Sequence, residues 1–560
     1  MKTSPRVAAR LLPLAALGLL LAGPAAAQDL LIRGGPIYTG VDGAPAAAEA
    51  VLVRDGRIAW VGALADLPQV GDDVPVVDLK GAALFPGFTD GHAHLDGIGW
   101  RELTLNLEGS ASVAEAMARL SDWAASHPDG VIVGRGWIET HWPEGRFLNR
   151  HDLDAAAPGR VVVLSRADGH ALVASTAALQ AAGVTAETQA PFGGEIHREE
   201  DGAPTGLLID AAMETVARLM PQEDAAAKRE AYRAGFRVEA AYGWTGLHFM
   251  SAPWSDIPLL EAMAEADEAP LRIYNAITPD GARDLIAQGP RSVADGRIIT
   301  RAIKLYADGA LGSRGAALHE PYADAPHTRG LMQTTEEEIL PIYREALRGG
   351  IQVATHAIGD RGNSEVLNWY LEAMREVQPD ERKVRDPRWR IEHAQILRPR
   401  DEMLFAGLGV IPSMQPSHAI GDLHFAPARL GDARLDGAYA WHSLVDLGLP
   451  VVGGSDAPVE RGDPLIEFYA AVARRDLNGF QGPDWRPNEA VDRATALKMF
   501  TLWPAYASFR EAELGTIEVG KRADLTAFSI DLMTVPAAEI PKGHAVLTVV
   551  DGEIVYRRED

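Results

Sequence analysis

Residues 84–95 read LFPGFTDGHAHL. An apolar run enters a Pro-Gly break and then sets His92 and His94 one residue apart. In extended backbone, side chains at i and i+2 leave the same face, so both imidazoles reach one point in space. Imidazole is the commonest metal ligand, and the pair reads as part of a metal site at the end of a strand. Alone, the pattern is weak. The chain holds 16 histidines, and a His-x-His among so many arises easily by coincidence. Its weight depends on what the rest of the chain places at the same ends of neighbouring strands.

Outward from this stretch, short β-rich apolar segments alternate with longer helical ones. Eight read as strands: 83–90, 243–250, 271–277, 302–308, 350–356, 388–394, 409–415 and 449–456. Most are too apolar to be half exposed, as parallel strands covered by helices must be. TEEEILPIYREALRGG and GNSEVLNWYLEAMREV have helical periodicity and separate some of them. Eight strands alternating with helices is the pattern of an α/β protein built as a (β/α)8 barrel. The connection from the first strand to the second is far longer than a βα loop. It contains strand-like pieces of its own, DGVIVGRGWIE and GRVVVLSRADGHALVAS. Residues 98–230 therefore read as a subdomain inserted after strand one, over the mouth of the barrel.

Both ends of the chain have hairpin character. AVLV and RIAWVG flank Asp55-Gly56, and Asp551-Gly552 repeats the signal near the C-terminus. Chain ends usually lie close together. Residues 28–83 and 513–560 are expected to form one small composite β-sandwich, leaving 84–512 for the barrel.

The first 27 residues differ in kind. Lys2, Arg6 and Arg10 precede an apolar run at 11–21, and Ala25, Ala26 and Ala27 offer a cleavage site before Gln28. This reads as a signal peptide, its run too short to span a bilayer comfortably. The mature protein is expected to be exported, periplasmic or secreted, without stable membrane insertion. The chain has no cysteine, which excludes disulfides, thiol nucleophiles and cysteine-ligated zinc. A net charge of −25 repels phosphate backbones and makes nucleic acid an unsuitable partner. The expected partners are a small-molecule substrate and, as one option, a second copy in a homodimer.

Barrel active sites sit at the C-terminal ends of the strands. There the chain places His92 and His94, Lys304, His356, His393 and Asp456. Singly, each has a plainer reading: a snorkelling lysine, a hydrogen-bonded core histidine, a helix cap. Jointly, they converge on one pocket.

PGFTDGHAHL, IKLYADGALGSRGAAL, THAIGDRGN, RIEHAQI, SMQPSH, GGSDAPV and ELGTIEVGKRADLTAF resemble the amidohydrolase superfamily. The likeness is to its family 3 group, which includes N-substituted formamide deformylases, and it covers nearly the whole mature chain. The resemblance implies that His92 and His94 ligate one metal and that His356 and His393 ligate a second. Lys304, carboxylated, would bridge the two, and Asp456 would complete the shell of the first metal and move protons as the catalytic residue. Glu320, Asp360, Arg314 and His418 lie near these motifs, with Arg314 and His418 candidates for substrate contact. Trp137 and His170, from the insertion, are candidates for shaping the cleft, His170 reading more readily as local packing.

Two divalent cations make a hydroxide available at neutral pH and polarise a carbonyl. Asp456 can take the proton of water and return it to a leaving nitrogen. The expected reaction is hydrolysis of an amide, formamide or carbamate-like C–N bond by a metal-activated hydroxide. Nitrogen and oxygen ligands suit two Zn2+ per chain, with manganese, iron or nickel as alternatives. Other classes remain open: an exported binding pseudoenzyme, or an isomerase or lyase on the same metal barrel.

Overall fold

A computed structural model describes residues 29–42, 48–220, 224–483 and 485–559. The expected signal peptide lies outside them. Eight parallel strands form the barrel: β1 (Phe88–Ala93), β2 (Trp244–Ala252), β3 (Arg272–Ile277), β4 (Ile298–Tyr306), β5 (Gln352–Ala357), β6 (Arg390–His393), β7 (Ile411–Met414) and β8 (Val452–Gly453). They pair in chain order, each parallel to the next. The short strand Arg291–Val293 adds antiparallel to β4. The two expected helices run over Glu336–Gly349 and Asp360–Glu376.

Between β8 and β1 the strands approach through glycines rather than through a full ladder. A Cβ on Gly91 would stand 2.5 Å from the Gly453 carbonyl, and one on Gly454 would stand 2.5 Å from the His92 nitrogen. Asp90 stitches this seam from β1: its Oδ1 accepts from the Ser455 amide at 2.9 Å and the His92 amide at 3.0 Å. Beyond β8, the Asp456 amide donates to the His92 carbonyl at 2.7 Å. Two would-be metal ligands are thus tied together through the backbone.

The stretch 83–90 is not one strand. Ala83–Pro86 belongs to a sheet made from both chain ends, and the barrel strand begins at Phe88. Ala83–Pro86 pairs antiparallel with Leu525–Phe528. Gly87 is the joint, where a Cβ would meet Thr245 Oγ1 at 2.4 Å and Asp524 Cβ at 2.9 Å. The terminal strands form a single connected eight-stranded sheet. Asp55-Gly56 and Asp551-Gly552 both have positive φ at their hairpin turns, the geometry of a type I′ turn. Phe88 fills the base of the barrel, stacked with Phe500 at 6.2 Å and edge-on to Phe528 at 5.1 Å. Burying each ring stabilises the junction by about 1.5–3 kcal/mol.

After β1 the chain forms helix Leu95–Leu103 and then a separate six-stranded sheet, drawn from Leu105–Asn106 through Pro204–Asp210. It has its own apolar cluster, around Leu120, Trp137, Leu153 and Leu164. Helix Ala225–Tyr242 returns the chain to β2 and packs against Leu95–Leu103.

Candidate metal centre

The strand ends bring His92, His393 and Asp456 together, with one ligand atom from each within 4.8 Å of the others. All three are buried. His92 Nε2 lies 3.3 Å and His94 Nε2 2.9 Å from Asp456 Oδ1. His393 Nδ1 is 3.9 Å and His418 Nε2 3.6 Å from Asp456 Oδ2. Lys304 Nζ sits 3.3 Å from His92 Nε2. The His356 ring centre is 4.6 Å from that of His393. All six residues expected as ligands lie around one pocket. His393 joins His92 and Asp456, while His94 stays at the rim with a quarter of its side chain exposed.

His393 and Asp456 both have positive φ, 74° and 60°. Left-handed backbone costs a non-glycine residue on the order of 1–2 kcal/mol. It is sustained here where the chain must turn a ligand inward at a strand end, a setting where such strain accompanies function.

Each histidine is oriented by a second partner. Glu392 Oε2 is 2.6 Å from His92 Nδ1, which leaves Nε2 for the centre. The Glu392 carboxylate is in turn held by buried Arg390, 2.7 Å away. Arg390 also donates to the Gly91 carbonyl and to Ser413 Oγ, each at 2.7 Å. His393 Nδ1 meets Gln415 Oε1 at 2.8 Å. Such outer partners fix the tautomer and orientation of a metal-binding imidazole. Asp308 accepts three backbone N–H bonds, from Ala317, Ile358 and Gly359, and lies 3.7 Å from His356 Nε2. Glu392, Arg390, Gln415 and Asp308 were not singled out from the sequence. Charged residues inside the apolar strand RIEHAQI were the available signal, since a buried charge requires a partner.

The electrostatics suit cation binding. Burial alone would raise the carboxyls of Asp456 and Glu392. For Asp456 the surrounding histidines outweigh it, and for Glu392 it is Arg390 and then His92, so both are held below the usual carboxylate range. Burial, then neighbouring basic groups, pushes His356 and His393 well below the usual imidazole value, which keeps them neutral and able to ligate. Burial also lowers Lys304 to about 8, against the pull of Glu392 and Asp456. Neutral imidazoles and carboxylate oxygens converging in a buried pocket fit a divalent metal.

A cavity of about 70 Å³ opens beside these ligands. His356, His393, His418 and Asp456 line it from the barrel, and Ile138, Asp168 and His170 from the insertion. His170, read as packing, instead faces the cavity, with its ring centre 5.1 Å from that of His356. Its Nδ1 lies 2.7 Å from Asp210 Oδ1. Burial alone would depress His170, but Asp210 overcomes this and raises it to about 9. His418 lines the cavity as expected, with Gln395 on its Nδ1 at 3.0 Å.

Trp137 and Arg314 do not line the cavity. The Trp137 indole donates to the Leu164 carbonyl at 2.8 Å inside the insertion's core, because its strand turns that face toward its own sheet. Arg314 reaches away to Asp324, 2.8 Å distant. Asp360 Oδ1 accepts from the His319 amide, and the Glu320 carbonyl accepts from Arg434.

Fold, ligand cluster and histidine supports together define a metal-dependent hydrolase. A model of the amidohydrolase family matches residues 75–556, and the chain belongs to that family. YtcJ of Bacillus subtilis (strain 168) is 32% identical over 534 residues, covering 94% of this chain and 99% of the relative. N-substituted formamide deformylase of Arthrobacter pascens is 28% identical over 548 residues, covering 95% of this chain and 99% of the relative. A solved metal-dependent hydrolase from Pyrococcus furiosus, itself uncharacterized, is 25% identical at a TM-score of 0.69, covering 90% of this chain and 100% of that chain.

Proposed function

We propose that the chain hydrolyses the C–N bond of an amide-type small molecule, with N-substituted formamides and carbamate-like compounds the first candidates. The observation that carries this reading is the Asp456 carboxylate, set between His92 and His94 on one oxygen and His418 on the other. His92, His393 and Asp456 would hold a divalent cation, which when bound would supply a Lewis acid and acidify water. Asp456 accepts the water's proton and passes it to the leaving nitrogen. His170, its Nδ1 engaged by Asp210, turns Nε2 toward the cavity, where a donor steadies charge developing on the substrate oxygen. The family relative named for formamide deformylation supports the choice of bond.

The fuller form of the proposal has two Zn2+ per chain, His356 joining the second, and a carboxylated Lys304 between them. Its support is the place of Lys304, buried beside His92 on the strand next to that of His356. A second reading keeps one cation and an ammonium at Lys304, and it is favoured by His92, His393 and Asp456 being the one such cluster among the described residues. We also propose export with cleavage before Gln28, on the strength of the charged start and short apolar run. N-terminal sequencing from the native host checks this, and a mature form beginning near Met1 refutes it. No described helix is long and apolar enough to cross a membrane.

The function is tested with chelator-treated protein, reloaded with Zn2+ and offered N-formyl amines, N-acyl amines and carbamates. Amine should appear only after reloading. Binding without turnover across the panel would favour a pseudoenzyme, and product without uptake of labelled water an isomerase or lyase.

A further inference from the structure

A second cavity, of about 340 Å³, adjoins the first, and Glu460 lines both. Glu108, Asp463, Glu467 and Asp476 also border it. Most of these carboxylates are engaged. Glu108 lies 3.6 Å from Arg101 and 3.8 Å from Arg461. Asp463 caps helix Pro464–Ala473 through the Leu465 amide, and Glu467 accepts from the Ser417 amide at 3.0 Å. Asp476 accepts from the amides of Asn478 and Phe480 and faces His424 at 3.1 Å. Glu460 has no hydrogen bond or ion pair among the described residues. Independently, Ser417 Oγ lacks a hydrogen-bond partner among the described residues, although the residue is only 2% exposed and lines the same cavity.

The rest of the lining is mixed: Arg461, held toward Glu108, His424, held by Asp476, and Asn478 border it beside an aliphatic patch. Ile420, Ile466 and Leu477 form that patch, and half-exposed Leu477 and Phe480 reach solvent near its edge. A carboxylate with no partner, an orphaned hydroxyl and an aliphatic patch are complementary to one ligand chemistry. The N–H donors of an organic ammonium satisfy Glu460 and Ser417, while its carbon chain covers the apolar side. An anion would meet repulsion from the surrounding carboxylates, whereas a cation would favour the ionised form of Glu460. A bare metal ion would leave the aliphatic patch uncovered.

We propose that this second cavity is a subsite for an organic ammonium group, held by Glu460 and Ser417, and that preferred substrates carry a cationic amine beyond the scissile bond. The link to substrates rests on the hydrolase reading, whereas ammonium binding does not. Burial, then Asp422, Glu108 and Asp456, pushes the Glu460 carboxyl up to about 8, a penalty that a bound cation relieves.

The test has two arms on the full chain. Calorimetry compares hexylammonium with hexanol. Hexylammonium should bind and hexanol should not. Glu460→Gln should weaken the ammonium at least about tenfold, as expected for loss of a charged hydrogen bond. Leu477→Lys places a positive charge at the exposed rim and should weaken it too, with the thermal melt unchanged. Equal binding of hexylammonium and hexanol, or ammonium binding that neither variant alters, overturns the site. In the second arm, kcat/KM for mono-N-formyl hexanediamine should exceed that for N-formyl hexylamine, and Glu460→Gln should erase the preference. Turnover of both without preference overturns the subsite assignment. Ammonium binding with no turnover of any formamide upholds the cation site and counts against formamide hydrolysis instead.

Discussion

His92 Nδ1 and Glu392 Oε2 lie 2.6 Å apart with both side chains fully buried. The contact joins a ligand on the first barrel strand to a carboxylate on the sixth, and Arg390 holds that carboxylate from behind. The Glu392 side chain decides which nitrogen of His92 carries the proton, and so which one faces the cation.

Glu392→Gln retains the shape but removes the charge that fixes this tautomer. Metal affinity should fall by about 10–100-fold, the usual effect of losing an outer partner of a metal-binding histidine. Competition with a chelator of known affinity measures it. Unchanged affinity would show that His92 is not oriented through Glu392.

Asp456→Asn should lower kcat by at least about 10²-fold, the typical contribution of a positioned acid–base group. The variant should still fold, which circular dichroism checks. Activity within a few-fold of the parent would remove Asp456 from the proton path.

Lys304→Ala separates the two readings of the centre. With a carboxylated bridge, metal content by elemental analysis should drop by at least one ion, activity should vanish, and short carboxylic acids should partly restore both. Undiminished metal and turnover in the variant would sink the bridging role.

The joint between barrel and terminal sheet should loosen in acid. Arg272 bonds Asp524 at 2.5 Å and also pairs with Asp551, which Arg297 and Arg522 reach as well. Burial alone would raise the Asp551 carboxyl, but Arg272, Arg522 and Arg297 hold it down at about 2. A depressed carboxyl adds stability that is complete above its unfolded value near 4 and is lost as pH falls toward 2, on the order of 2 kcal/mol. The difference in Tm between the parent and Asp551→Asn should be flat above about pH 5 and shrink below pH 4. A difference that grows on acidification would contradict the assignment.

The barrel was legible because fully buried parallel strands are short, apolar and regularly interrupted, and all eight segments overlap barrel strands. The split at Gly87 was hidden, because ALFP and FTDGHA are equally apolar in pattern and only tertiary partners distinguish them. The six residues proposed as ligands lie around one pocket, as strand-end position implies. Their supports were invisible because Glu392 and Asp308 resemble any other carboxylate until burial and neighbours are known. His170 was a candidate for the cleft that read more readily as packing, because it reaches His356 from a separate sheet and no periodicity records such a contact. Trp137 misled because a large aromatic at a strand end serves a subdomain core as readily as a cleft.

The joint at Gly87 has a consequence for the order in which the molecule is made. His92 stands on a strand whose entry is clamped by residues from the far end of the chain: Leu525–Phe528 pairs with Ala83–Pro86, and Thr526 Oγ1 accepts from the Phe88 amide. A chain emerging from the ribosome holds every ligand well before it holds that clamp. The metal-binding geometry is therefore expected to arise only once residues 525–528 have been made, so that a shorter nascent polypeptide carries the ligands without their assembly.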